Sequence, residues 1–427
     1  MLRHFILSTL LCVFIMTLGL TACSDKSGSE AQFVTTDGTR LMLGDEPYRF
    51  MGANLWYGAI LGSEGQGGDR ERLCRELDTL AALGVSNLRI LVGSDGQRGA
   101  AYKVEPTLQV APGVYNDTIL AGLDFLLKEM GERRMKAVLY LNNAWEWSGG
   151  YGYYLEQAGC GRCPLPADGY KEYCDYVAQF ASNEQAQQLF ADYVRFIIGR
   201  TNRYTGRPYT DDPAIMAWQI CNEPRAFSDE AKRPFAQWLA KTSALIRQLD
   251  SNHLISLGSE GLVGCAFDKE LWEQVSADPN IDYLTAHVWP FNWGWASREK
   301  TSGNIEASCD SSAAYVAMHV EQAARLGKPL VIEEFGYPRD AFSHDIQSAT
   351  TDRDRYYDFM FGLFAQSPVI CGINFWAWGG ECHPLHEWWQ AGDPYCGDPA
   401  QEPQGLYSVF GSDSATLRVI ARYAPQS

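Results

Sequence analysis

Basic residues are scarce in this chain: 35 Lys and Arg stand against 52 Asp and Glu, a formal net charge of −17 over 427 residues. Such a surface repels nucleic acid and anionic polymers, and it suits a neutral substrate such as a polysaccharide. The apolar run at 5–20 is too short for a membrane span. No linker, low-complexity tract or internal repeat interrupts residues 31–427, so one domain is expected there. A glycine-rich phosphate turn is missing after the first predicted strand, where Asn54-Leu55-Trp56-Tyr57 stands instead. Gly258-Ser259-Glu260-Gly261 does not form a Gly-x-Ser-x-Gly elbow, and no Ser-His-Asp arrangement is legible. Cys160-Gly161-Arg162-Cys163 has no second pair with its spacing. Cys382-His383-Pro384-Leu385-His386 carries a single cysteine and a proline between its histidines. Neither reads as a metal site.

The N-terminus has the pattern of an export signal: Arg3, the apolar run, then Leu20-Thr21-Ala22-Cys23. That ending resembles a bacterial lipobox. It implies a lipoprotein signal peptide over 1–22, acylation of Cys23, and a polar tether over 23–30. The alternative is an ordinary cleaved signal with a chance cysteine. Losing residues 1–22 removes Arg3 and no acid, which takes the charge from −17 to −18. An exported protein anchored at a membrane, periplasmic or at the cell surface, is the expected address. Disulfides are then allowed. Cys382–Cys396 and one bridge within Cys160, Cys163 and Cys174 are expected, with Cys221 and Cys371 as buried thiols.

Residues 33–43 read as a small hairpin with a turn at Asp37-Gly38. Apolar strand patterns follow at 50–54, 87–91, 137–141, 215–222, 254–257, 283–287, 330–334 and 373–376. Helical patterns alternate with them at 70–83, 119–133, 186–201, 234–249, 269–275, 312–326 and 352–364. This alternation predicts a parallel (β/α)₈ TIM barrel, with an open doubly wound sheet as the alternative. Long loops after strands three (145–185), six (288–310) and eight (377–410) should build a cleft on the C-terminal face.

Two of these strands run out in glutamates. Trp218-Gln219-Ile220-Cys221-Asn222-Glu223-Pro224 ends at a proline that forbids continuation, and Leu330-Val331-Ile332-Glu333-Glu334-Phe335-Gly336 repeats the situation. An acid at a strand end is ordinarily solvated or caps a helix. Two at one barrel mouth can instead supply the proton donor and the attacking carboxylate that glycoside hydrolysis requires. Other strand ends carry Trp56, Arg89, Asn142-Asn143, Ser259-Glu260, His287 and Trp376. Of the 13 tryptophans, ten (56, 145, 147, 289, 293, 295, 376, 378, 388 and 389) fall at or just past a predicted strand end. Indole faces stack on sugar C–H surfaces, although about half of the ten can be needed to pack the loops.

The motifs Gly52-Ala53-Asn54-Leu55-Trp56-Tyr57, Asn87-Leu88-Arg89, Asn222-Glu223-Pro224-Arg225, Glu334-Phe335-Gly336, Asn374-Phe375-Trp376-Ala377-Trp378-Gly379-Gly380 and Gly397-Asp398-Pro399-Ala400-Gln401 together resemble glycoside hydrolase family 5 of clan A, in its mannan-acting subfamily. The resemblance implies a retaining endo-β-1,4-mannanase without cofactor or metal. An exo-acting β-mannosidase is the alternative, and a non-catalytic glycan-binding lipoprotein is a third reading. It implies Glu223 as acid/base and Glu334 as nucleophile. Arg89 and Asn222 would hold the nucleophile and the sugar 2-position, His287 would lie near the acid/base, and Trp376 would floor the −1 subsite. Trp56, Asn142, Glu260 and Trp289 complete the expected substrate contacts. A monomer is expected. Many family members carry a tyrosine at the third position of His287-Val288-Trp289, hydrogen-bonded to the nucleophile. Here an indole stands in its place.

Two further expectations follow from elementary chemistry. Burial and the charge of Glu334 should raise the pKa of Glu223. Strand alternation should put Glu333 and Glu334 on opposite sides, with Glu334 in the mouth.

Overall fold

The computed structural model describes residues 32–96, 103–300 and 303–424. The expected signal peptide, the lipidated Cys23 and the tether lie outside the described residues. The compact unit starts at Phe33.

Eight apolar runs form the strands of one sheet: β1 (Phe50–Asn54), β2 (Val85–Leu91), β3 (Lys136–Tyr140), β4 (Ile215–Gln219), β5 (Leu254–Ser256), β6 (Leu284–Val288), β7 (Leu330–Phe335) and β8 (Ile370–Phe375). β1 to β5 and β6 to β8 each pair in parallel with their sequence neighbours, and β8 pairs with β1. Between β5 and β6 the seam is held by Asp282 N–H to Ile255 O (2.9 Å) and Thr285 Oγ1 to Ser259 O (2.7 Å). The result is the expected (β/α)₈ barrel. Burial on both faces is why these strands read as unbroken apolar runs.

The helices are α1 (Arg70–Ala82), α2 (Asp117–Glu132), α3 (Glu184–Ile198), α4 (Lys232–Leu249), α5 (Lys269–Ser276), α6 (Asn304–Leu326), α7 (Thr351–Gln366) and α8 (Ser414–Arg422). Asp69, Asn116, Asn183 and Asp268 cap α1, α2, α3 and α5 by accepting a backbone N–H from the first turn. The N-terminal hairpin, Val34–Asp37 against Arg40–Leu43, closes the lower end of the barrel. Its Val34 and Leu41 pack on Phe50, Val138, Met216 and Val331. No helix among the described residues is long and apolar enough to cross a membrane.

Three expectations are corrected. The segment after β3 is not a loop: it holds helices Gly150–Gln157 and Tyr170–Val177 and a 3-10 turn at Ala178–Ser182. Their aromatic side chains build a satellite core in which Tyr151 stacks on Phe180 and both meet Trp238. Helix α6 begins at Asn304 rather than 312, because the buried Ser308 and Ser312 on its inner face break the apolar period. Neither expected disulfide forms, and the ten described cysteines are free thiols. In the first cluster the sulfurs face different partners: Cys160 accepts from the Asn183 amide (3.2 Å) and Cys163 donates to Pro164 O (3.3 Å). Cys382 and Cys396 do meet, beneath Phe410, as hydrogen-bonded thiols.

Candidate active site

Glu223 stands four residues past the end of β4, in a left-handed backbone conformation (φ +50°) that a glutamate seldom adopts. Its N–H donates to Gly258 O at 2.9 Å. Gly258 itself has φ +77°, and a Cβ there would lie 1.9 Å from Cys221 O. Only glycine lets the turn after β5 approach this closely and brace the strained Glu223.

Glu334 reaches the mouth through an irregularity. Ala286 of β6 pairs with Ile332 of β7, but the next residue, His287, pairs with Glu334. The bulge skips Glu333 and breaks the alternation. Glu333 therefore also points inward, against expectation, and both its oxygens accept from Gln219 Nε2 (2.7 and 2.8 Å) below the mouth.

The two sequence-predicted carboxylates come together. Glu223, His287 and Glu334 each offer an atom within 4.8 Å of the others. His287 Nδ1 lies 2.8 Å from Glu223 Oε1 and 3.4 Å from Glu334 Oε2. Trp145 Nε1 donates to Glu223 Oε2 at 2.6 Å. On the other carboxylate, Arg89 Nη1 donates to Oε1 (2.5 Å) and Trp289 Nε1 to Oε2 (3.2 Å). The indole thus makes the bond that the missing phenol would have made. Arg89 also donates to Asn222 Oδ1 (2.7 Å) and Gln219 Oε1 (2.8 Å), so one buried guanidinium sets several strand ends. The Glu223, His287 and Glu334 atoms are also the one set among the described residues that could converge on a metal ion. Arg89 and His287 already place positive charge there.

These groups open into a cleft of about 410 Å³. Of the expected contacts, Asn222, Glu260, Trp289 and Trp376 line it, while Arg89 and His287 are buried behind the carboxylates. Trp56 and Asn142 are corrections. Trp56 is 1% exposed and donates to Gly397 O (2.7 Å), roofed by the segment after β8. Asn142 accepts the Asn143 N–H (2.8 Å), and Asn143 is the one that reaches Asn222 Nδ2 (3.1 Å). Five of the ten rim tryptophans line the cleft: 145, 147, 289, 293 and 376. Trp378 is buried, and Trp389 stacks on Tyr395.

Other wall residues carried no local signal of a site role. Arg225 makes a two-pronged bond to Glu260 (2.6 Å each) and lies over the Trp145 ring. Glu402 and Gln401 come from the long segment after β8. Trp376 Nε1, Gln401 Oε1 and Glu402 Oε2 are buried without a protein partner, and all three residues line the cleft. Buried polar atoms are normally satisfied, and a ligand rich in hydroxyls would satisfy these.

The protonation pattern departs from expectation. Burial pushes Glu223 up, but the hydrogen bond and charge of His287, with Arg225 and Trp145, outweigh it and hold the carboxyl below its usual range. Burial raises Glu334, opposed by His287 and Arg89 and reinforced by Glu223. Burial disfavours the His287 imidazolium, yet Glu334, Glu223 and Glu333 together push it up to about 10. In the ligand-free site the shared proton sits on the imidazole. Burial likewise raises Glu402 well above the carboxylate range, with Asp398, Glu334 and Glu223 adding to it. Glu146, on the cleft wall, is raised by burial to about 7.

Comparison with known proteins gives one consistent neighbourhood. Residues 31–426 match the family model described as GH family 5 beta-mannosidase-like. The mannan endo-1,4-beta-mannosidase 1 of Oryza sativa subsp. japonica is 28% identical over 344 residues, covering 77% of this chain and 74% of the relative. Its Arabidopsis thaliana namesake is 26% identical over 358 residues, 81% of each chain. Among solved structures, the glycoside hydrolase family 5 mannosidase from Rhizomucor miehei superimposes with a TM-score of 0.85 at 33% identity, covering 93% of this chain and 98% of that one. The endo-1,4-beta-mannanase from the same fungus aligns with a TM-score of 0.68 at 22% identity, covering 92% and 98%.

Proposed function

The chain belongs to the β-mannosidase-like group of glycoside hydrolase family 5, and from that premise we propose that it cuts β-1,4-mannosidic bonds within mannan chains, retaining the anomeric configuration. The observation that carries the retaining chemistry is the approach of a Glu223 oxygen to within 4.8 Å of a Glu334 oxygen. Retaining pairs stand about 5–5.5 Å apart, whereas inverting pairs need about 6.5–9.5 Å to admit a water.

Glu334, ionised beside Arg89, attacks the anomeric carbon. The glycosidic bond breaks, and Glu223 gives its proton to the leaving oxygen. A mannosyl ester of Glu334 results. Glu223, now a carboxylate, takes a proton from water. The hydroxide oxygen bonds to the anomeric carbon and the ester bond breaks, restoring Glu334. Trp376 and Trp289 provide apolar faces for the reacting sugar. Asn222, Gln401 and Glu402 face its hydroxyls.

Internal cleavage is supported by the names of the rice and Arabidopsis relatives. A second reading, release of single mannose units from chain ends, is favoured by the closer match to the Rhizomucor mannosidase, 0.85 against 0.68 for the mannanase. Products of mannohexaose at early times separate them. Mixed oligosaccharides support internal cleavage, mannose alone defeats it in favour of the second reading, and no cleavage of any mannoside leaves a glycan-binding role. The proposal extends to the address: export and a lipid anchor on Cys23, supported by the Leu20-Thr21-Ala22-Cys23 pattern.

A further inference from the structure

Glu333 is a buried carboxylate beneath the barrel mouth to which the reaction above gives no task. The bulge between β6 and β7 turns it inward, beside the nucleophile. Both its oxygens act as acceptors, and that fixes the direction of its neighbours. Gln219 Nε2 donates to them (2.7 and 2.8 Å) and to Ser256 Oγ (3.0 Å). Ser256 passes a bond to the Tyr283 hydroxyl (3.0 Å), which turns towards Glu333 Oε1 (3.4 Å). With its NH₂ group committed to Glu333 and Ser256, Gln219 presents Oε1 to Arg89 Nε (2.8 Å). The main-chain oxygen of Glu333 acts in the same way on Asn54. Asn54 Nδ2 donates to it (2.8 Å), so Asn54 Oδ1 faces Arg89 Nη1 (3.2 Å). Two amides, each able to face either way, are thereby set as acceptors for one guanidinium.

Arg89 in turn holds Glu334 Oε1 (2.5 Å) and Asn222 Oδ1 (2.7 Å). Glu333 Oε2 also stands 3.7 Å from Arg89 Nε and 3.9 Å from His287 Nε2, a buried nitrogen with no hydrogen-bond partner. The other two carboxylates change during the reaction: Glu334 becomes an ester, and Glu223 gives up and regains a proton. Glu333 does not line the cleft, so neither sugar nor water reaches it.

We infer that Glu333 is a positioning residue: a constant anion beneath the mouth that aims Gln219, and through it Arg89, at the nucleophile. This rests on the mannoside reading and deepens it, since it adds a residue that acts on Glu334 without touching the substrate. A buried guanidinium held by a second anion is not neutralised by Glu334 alone, which leaves the nucleophile freer to attack.

The test is the pH profile of kcat/KM on dinitrophenyl β-mannoside, whose leaving group needs no proton. Glu333→Gln keeps the shape, removes the charge and lets the amide of Gln219 turn over. The groups that face Glu334, namely Arg89, His287, Glu223, Trp289, Tyr140 and Glu402, stay as they are. The variant should lose about ten- to a hundredfold in kcat/KM. Loss of a negative neighbour favours ionised Glu334, so the acid limb should move to lower pH. Adding Gln219→Glu exchanges the two groups and returns a charged acceptor to Arg89 Nε. The double variant should recover to within about threefold of wild type, with its acid limb restored. Wild-type kcat/KM in Glu333→Gln overturns the inference, as does a loss with the acid limb unmoved or a folded double variant no better than the single one. If Glu333→Gln does not fold, the double variant decides by the same recovery; failure of both to fold marks Glu333 as a purely structural residue and also overturns it. A wild type active on the mannoside keeps the mannoside reading standing in each of these cases. A wild type inert on every mannoside defeats that reading, and this inference with it.

Discussion

Trp289 offers a measurable perturbation of the nucleophile. Its Nε1–H donates to Glu334 Oε2 at 3.2 Å. Its ring packs edge-on against Tyr407, with centroids 5.3 Å apart, and lies close over Gly336. Trp289→Phe removes the donor while keeping much of the ring contact. Hydrogen bonds to charged groups contribute about 1.5–3 kcal/mol, and a long one belongs at the lower end. About 1.5 kcal/mol is roughly a tenfold loss in rate. The indole is also among the groups that oppose the upward push of burial on Glu334. Removing it raises that pKa further. Because Glu334 must be ionised to attack, the acid limb of the profile should move to higher pH. The assay is kcat/KM on dinitrophenyl β-mannoside from pH 4 to 8, where the leaving group needs no proton and attack by Glu334 is read alone. Trp289→Tyr restores a donor and should recover most of the loss. A Phe variant with wild-type kcat/KM, or an acid limb moved to lower pH, would refute the reasoning.

The remaining predictions concern the carboxylates and the anchor. Glu334→Ala should lose activity by orders of magnitude on every substrate. Glu223→Ala should still form the glycosyl-enzyme from dinitrophenyl β-mannoside, accumulate it, and turn over with azide to a β-azide; equal loss on this substrate and on mannan would make the acid/base assignment wrong. Burial pushes Glu402 well above its usual carboxylate value, which favours its neutral form, so Glu402→Gln should keep activity within about twofold; a tenfold loss would show that it works as an anion. Cys23→Ala should release the protein from membranes with unchanged specific activity, and retention of that variant in the membrane fraction would argue against the lipid anchor.

The barrel was legible because its strands are buried on both faces: Ile215–Gln219 and Leu330–Phe335 are buried throughout, with Glu223 four residues past the first and Glu334 next to the end of the second, and nothing distant is needed to see that. What lay hidden depended on partners far along the chain. Trp56 and Trp145 look alike as residues past a strand end. Trp56 is covered by Gly397, 341 residues downstream, while Trp145 meets Glu223. The inward turn of Glu333 comes from a bulge opposite β6, which no pattern within β7 encodes. Glu402 enters the cleft from a segment without period. The aromatic helices after β3 were missed for a different reason: Gly150–Gln157 is buried from Gly150 to Leu155 and so lacks a polar face, and Tyr170–Val177 shows its helical spacing only once, in the buried Tyr173 and Val177.

The proton inventory explains how a carboxyl that is held charged in the free site can serve as an acid. Glu223, His287 and Glu334 lie close enough to titrate as a unit. With the cleft open, the proton is on the imidazole, and Glu223 accepts N–H bonds on both oxygens, from His287 and from Trp145. A sugar filling the cleft excludes water from Glu223, which disfavours the charged pair and favours moving the proton from His287 Nδ1 to Glu223 Oε1 across 2.8 Å. The leaving oxygen then takes it. Glu334 is now an ester, and its charge is the largest attraction holding His287 at about 10. Without it the imidazole has less reason to reclaim a proton, and Glu223 is left as the base for water. The two halves of the reaction thus differ by the charge on Glu334, sensed through His287. NMR titration of His287 in the Glu334→Ala variant reads this directly: its pKa should fall from about 10, and an unchanged value would sink the account.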